Sequence, residues 1–194
     1  MESISVFILI GGRNKRFGSA KWGAKINTHT VIERILRTCV IFDKIFLIGK
    51  KQPNDLIHLP FLKDMLEINA PINGLYTALE KTTTDWILLL SCDLPLISKD
   101  ILLELMNNIH KSKNIIIPKV NGRLQPTCAL YNRKLKNYCF KQIKNQELSL
   151  TKFVMNHDSH YIDFSIQSET FLNMNTKNDL RAAKKILSSK MSSK

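Results

Sequence analysis

Apolar positions along this chain fall into two rhythms: short continuous runs, and stretches where they recur every three or four residues. A continuous β-branched run bounded by turn residues reads as a buried strand, and the wider spacing reads as one face of a helix. Residues 3–10 (SISVFILI) form the first such run, which stops at Gly11-Gly12. Thr30 precedes Val31, Ile32, Ile35, Leu36 and Cys39, a pattern that predicts a helix capped by the threonine. Residues 44–48 predict a second strand and residues 65–68 a short third. Asn73 opens a predicted helix carrying Leu75, Ala78 and Leu79, and residues 86–90 (WILLL) are the most apolar run, suited to the sheet centre. A further helix is predicted from Ser98 through His110, with Ile101, Leu102, Leu105 and Ile109 on one face.

The later part is less regular: a short apolar run at 115–117, an extended stretch at 123–131, a lysine-rich helix over 133–144 and a last helix over 178–187. Strand and helix alternating in this order predict an α/β fold, one Rossmann-like domain over 1–187 whose central, mostly parallel sheet is flanked by helices. Residues 188–194 are expected to form a flexible C-terminal tail. Ligands of such sheets bind beyond the carboxyl ends of the strands, where Gly11-Gly12 and Cys92-Asp93 both fall.

Composition narrows this picture. A chain of 194 residues that is 44% apolar can bury one real core. No apolar run approaches the ~20 residues of a membrane span, and residues 1–5 lack the basic region and cleavage site of a secretory signal. The four cysteines, Cys39, Cys92, Cys128 and Cys139, include no C-x-x-C pair, which argues against zinc and for reduced thiols in a cytoplasmic protein. The formal charge is +13, and from Lys99 to Lys152 eleven Lys or Arg stand against three acids. Three readings of that excess stay open: a solvated surface, attraction of a phosphorylated small molecule, or nucleic acid. There is no aromatic-basic interleaving and no recognition helix, so neither nucleic acid nor a membrane is the expected partner.

Two segments carry chemistry. Leu9, Ile10, Gly11 and Gly12 end the first strand, and Arg16, Gly18 and Lys21 follow. Paired glycines let backbone N–H groups approach phosphate oxygens, while an arginine fork and a lysine neutralise them. The register matches neither a Walker A loop nor a dinucleotide fingerprint. The second segment is Cys92-Asp93-Leu94-Pro95. A carboxylate at the end of a buried central strand is costly unless a cation meets it, and Mg²⁺ prefers one or two carboxylates together with phosphate and water.

These residues resemble the signature of the molybdenum cofactor guanylyltransferase family (molybdopterin-guanine dinucleotide biosynthesis protein A, or MobA type). L-x-G-G-x-x-x-R-x-G-x-x-K is met by Leu9, Gly11, Gly12, Arg16, Gly18 and Lys21. Residues 71–75 resemble the family's G-P-L-A-G-L turn, 92–95 its C-D-x-P, 125–130 its H-P-T-x-A-L and 172–176 its F-x-N-x-N-T. Departures are Ala20, where the family has an acid, Trp22-Gly23 after the motif lysine, and Gly49, where some relatives carry Asn toward guanine.

The resemblance implies a Mg²⁺-dependent nucleotidyltransferase that moves GMP from GTP to the phosphate of molybdopterin, with molybdoenzymes or their chaperones as recipients of the product. It assigns Lys21, Arg16 and Asp93 to catalysis, Asp93 also to the metal, and Leu9, Ile10, Gly11, Gly12, Lys21, Asp64 and Asp93 to the nucleotide. Asn173 and Asn175 fall to substrate binding. A cytidylyltransferase of similar fold and a non-catalytic nucleotide-binding adaptor are the alternatives; a second glycine in place of the alanine of CTP-using relatives favours GTP.

Overall fold

A computed structural model describes residues 3–11, 17, 20–109 and 112–192, with side chains through 189, so Gly12, Arg16, Gly18 and His110 lie outside the described residues. In chain order the elements are β1 (Ile4–Leu9), β2 (Lys25–Ile26), β3 (His29–Thr30), α1 (Val31–Thr38), β4 (Lys44–Gly49), β5 (Phe61–Lys63), α2 (Pro71–Lys81) and β6 (Trp86–Ser91). Then follow α3 (Lys99–Asn107), β7 (Ile115–Val120), β8 (Arg123–Leu124), β9 (Cys128–Asn132), α4 (Lys136–Lys144), α5 (Leu150–Met155), β10 (Ser159–Asp163) and α6 (Lys177–Ser192).

The main sheet has the order β10-β7-β9-β6-β1-β4-β5, with β8 paired to β7 outside this path. β1 runs parallel to β4 and β6, β4 to β5, and β7 to β10, whereas β9 is antiparallel to both its neighbours. The sheet is therefore mostly parallel, and WILLL does occupy its middle. Successive residues of one strand feed opposite faces. Val6, Ile8, Leu88 and Leu90 join a core under α1, α3 and α6, while Phe7, Ile87 and Leu89 join one under α2, α4 and α5. Burial on both faces is why these strands read as unbroken apolar runs.

The Thr30 cap is present as a full capping box: its hydroxyl accepts from Glu33 N and the Glu33 carboxylate accepts from Thr30 N. Four expectations need correcting. The third strand is β5, so Asp64 follows it rather than precedes it. Residues 65–68 form no ladder because α2 side chains take their backbone groups: Met65 N donates to Thr77 Oγ1, Leu66 N to Asn73 Oδ1, and Asn73 Nδ2 to Leu66 O and Ile68 O. Asn73 is thus a buried clamp inside α2, which opens instead with Pro71. The stretch 123–131 divides into β8 and β9, with Asn121 and Gly122 in the left-handed region forming the two-residue turn from β7 to β8. Finally, α6 continues five residues beyond 187, to Ser192.

Candidate active site at the carboxyl edge of the sheet

The carboxyl ends of β1, β4, β5 and β6 meet at one edge. Ile10 N donates to Ile48 O, Cys92 N to Leu9 O and Asp64 N to Gly49 O, each at 2.9–3.0 Å. These bonds extend the ladder just past the strands and bring Leu9, Ile10, Gly11, Asp64 and Asp93 to a common rim. A Cβ built on Gly11 would stand 3.7 Å from Gly49 Cα, and one on Gly49 3.4 Å from Ile10 Cγ1, so packing alone excludes a methyl at neither position. Glycine leaves this rim open to close approach by a ligand's atoms.

Asp93 presents the sharpest polar anomaly. Its Oδ1 is buried and has no hydrogen-bond partner among the described residues. An unsatisfied buried acceptor costs about 1–3 kcal/mol, more when charged. This carboxylate oxygen fits a cation. Burial, reinforced by the adjacent Asp93 charge, pushes the Cys92 thiol up to about 12, with the Lys21 ammonium opposing the rise. Cys92 is therefore a protonated packing residue, and Lys21 stands within electrostatic reach of Asp93's neighbour.

Lys21 begins a short 3-10 turn, Lys21–Gly23, and its Nζ donates to Asn175 Oδ1 at 2.6 Å, across 154 positions of sequence. Met174, fully buried, donates its N–H to Asp93 O at 2.7 Å. The loop before α6 thus grips both the motif lysine and the strand-end aspartate. Lys25, by contrast, is exposed on β2. Asn173 lines a neighbouring recess of about 440 Å³ with Val120, Asn121, Arg123, Gln125, Ser168 and Phe171.

Asp64 lies apart from this pair, on the Gly49 side. Its side chain is 13% exposed and stands 3.9 Å from Lys50 Nζ, which also donates to Leu66 O. Burial raises the Asp64 carboxyl above its ordinary range, Lys50 opposes, and Glu67 adds to the rise.

The expected site residues that the structure describes thus fall into two groups at one rim: Leu9, Ile10, Gly11 and Asp64 on the side of Gly49, Lys21, Asp93 and Asn175 on the other, with Asn173 in the neighbouring recess. Gly12 and Arg16 lie outside the described residues. Sequence reading passed over Lys50, Arg123 and Asp179. For Asp179 a signal existed, since Thr176-x-x-Asp179 before a helix is a capping-box pattern.

With the glycine rim, the strand-end aspartate and the facing lysine in view, relatives can be weighed. The MobA-like NTP transferase domain family matches residues 6–159, most of the chain. The chain belongs to this family. A Bacillus cereus protein named probable molybdenum cofactor guanylyltransferase is 26% identical over 200 residues, covering 98% of this chain and 100% of its own. The structure of molybdopterin-guanine dinucleotide biosynthesis protein A from Archaeoglobus fulgidus superposes with a TM-score of 0.82 at 20% identity, covering 95% of this chain and 99% of that one. The 2-C-methyl-D-erythritol 4-phosphate cytidylyltransferase of Thermus thermophilus gives 0.70 at 14%, covering 96% and 99%. At such identities these two structures establish the shared fold. The chain is accordingly a nucleotidyltransferase, of a kind that generally works with a divalent metal. Among the described residues no helix is long and apolar enough to cross a membrane.

Proposed function

We propose that this protein transfers GMP from GTP to the terminal phosphate of molybdopterin, releasing pyrophosphate, with Mg²⁺ as the metal. The observation that carries the site assignment is the buried Asp93 Oδ1, without a partner among the described residues, on a loop whose Met174 contact adjoins the Lys21–Asn175 pair. An oxygen of the acceptor phosphate attacks the α-phosphorus of GTP, and the bond from that phosphorus to the bridging oxygen breaks, so the electron pair leaves with pyrophosphate. At pH 7 a phosphate monoester is largely dianionic, so attack requires no general base from the protein. The work left for the chain is positioning and charge stabilisation.

Lys21 supplies positive charge to the attacked phosphate and the leaving pyrophosphate, and Arg16 is assigned the same task as a fork. Mg²⁺ held by Asp93 would neutralise triphosphate oxygens. The rim at Leu9, Ile10 and Gly11 admits the nucleotide, Gly12 is assigned the same task, and Asp64 accepts from the base or ribose. The recess at Arg123, Gln125 and Asn173 borders the Asp93 loop and receives the acceptor, one cation and several amides suiting a polar anionic molecule.

The test is product formation from labelled GTP, CTP and ATP with molybdopterin, for the native chain and Asp93→Asn. GTP should turn over preferentially. Asp93→Asn should lose most activity with no loss of thermal stability, because Asn keeps the volume and removes the buried charge. Near-normal Asp93→Asn turnover at limiting Mg²⁺ would reject the metal role, and faster product formation from CTP would move the protein to cytidylyl transfer.

A further inference from the structure

We infer that Asp179 is a positioning residue for the transfer, acting through Asn175 to hold the Lys21 ammonium at the site before nucleotide arrives. The inference rests on Lys21 being the catalytic cation and adds how a flexible side chain is fixed there. A lysine side chain samples many rotamers, a freedom that an unrestrained Lys21 would lose during the reaction. In this fold its Nζ already has a partner in Asn175 Oδ1.

Asn175 sits on an exposed loop, so the loop itself must be restrained. On one side Met174 is buried and its N–H is held by Asp93 O. On the other, a single oxygen, Asp179 Oδ2, accepts from Asn175 N at 2.9 Å, Thr176 N at 2.7 Å and Thr176 Oγ1 at 2.9 Å. Asp179 N donates to Thr176 Oγ1 in return, at 3.2 Å.

Thr176 and Asp179 make a capping box for α6, but a capping box needs only the two reciprocal bonds. The box of α1 stops there, with Glu33 Oε2 serving Thr30 N alone. Asp179 reaches one residue further, to the N–H of the asparagine that carries Lys21. Lys21 acts back on it. The Asp179 carboxyl lies below its ordinary range: burial opposes this, and the bonds from Asn175 and Thr176, together with the Lys21 charge, outweigh it.

The experiment uses the full chain, with single-turnover rates and GTP KM for Lys21→Ala, Asn175→Ala, Asp179→Ala, Asp179→Asn, the Asn175→Ala/Asp179→Ala double variant and Glu33→Ala. Asp179→Ala should lower the rate about tenfold with KM changed less than about twofold, the signature of a misplaced group rather than a lost binding contact. Asp179→Asn keeps one acceptor oxygen and should retain most of the rate. The double variant should be no slower than Asn175→Ala alone, because both changes free the same lysine. Glu33→Ala should lower thermal stability by a similar amount without changing the rate.

A normal rate in Asp179→Ala, losses that multiply in the double variant, or Asp179→Asn as slow as Asp179→Ala would each overturn the inference. Lys21→Ala should cost about 10²–10³. A normal rate there would instead bring down the assignment of Lys21 itself. If Asp179→Ala fails to fold, Asp179→Asn and Asn175→Ala still decide the matter.

Discussion

At the scale of single residues, Asp64 sets function against stability. Burial holds its carboxyl above the ordinary range, with Lys50 compensating in part. Its charge is therefore a cost to the folded state at neutral pH that the unfolded chain does not carry. Asp64→Asn should raise the melting temperature and weaken GTP binding if the ionised oxygen is what accepts from the nucleotide. The sign with pH follows from the raised value. The stability gain should be fully present above the folded pKa of Asp64, shrink as pH falls through it, and vanish below the unfolded value of 3.8, where the native aspartate is also neutral. Thermal melts of both proteins from pH 3 to 8 (a ~5-unit span around the carboxylate range) check this. An Asp64→Asn melt unchanged at every pH would show that Lys50 compensates in full.

At the scale of elements, α2 approaches β1 so closely that a Cβ on Gly74 would overlap Leu9 Cδ2. The atom met is the end of a flexible side chain that can turn aside, so Gly74→Ala should cost about 1 kcal/mol, the low end of the range for overpacking. Leu9 is also a rim residue, so GTP KM should rise with it. Gly11 and Gly49 behave differently, because a methyl at either meets only ordinary van der Waals neighbours. Gly11→Ala and Gly49→Ala should melt near the native temperature yet bind GTP more weakly, the added Cβ occupying space the ligand needs. Equal destabilisation by all three substitutions would show that the rim glycines serve packing.

At the scale of the whole molecule, the charge of +13 is a long-range field. Both substrates are anionic, so the excess on the later half should speed their capture. Raising salt from about 10 mM to 150 mM shortens the Debye length from ~30 to ~8 Å. kcat/KM for molybdopterin should fall over this range while kcat at saturation holds steady, because steering acts on encounter rather than on chemistry. Tight, steeply salt-dependent binding of random RNA or DNA that molybdopterin cannot displace would assign the field to nucleic acid.

Local pattern was enough to find β1, β4, β6, α1 and α3, because strands buried on both faces leave unbroken apolar runs and capped helices leave a period. It also marked Lys21, Asp93, Gly11 and Asn175 as chemically loaded residues, through motifs that each lie within a few positions. Periodicity could not see β5 and its turn at 65–68, whose backbone is satisfied by Asn73 and Thr77 rather than by a ladder. The partly solvated edge strand β10 and the short α5 were missed because neither carries a long enough apolar signal. Only the tertiary structure decided which loaded residues meet. Lys21 and Asn175 are 154 positions apart and are joined because the loop before α6 crosses the carboxyl edge of the sheet. The same closure binds the Asp93 backbone carbonyl to Met174, while Asp93 Oδ1 has no partner among the described residues. Contacts of that kind depend on how strands and loops stack in space, and no local pattern along the chain records them.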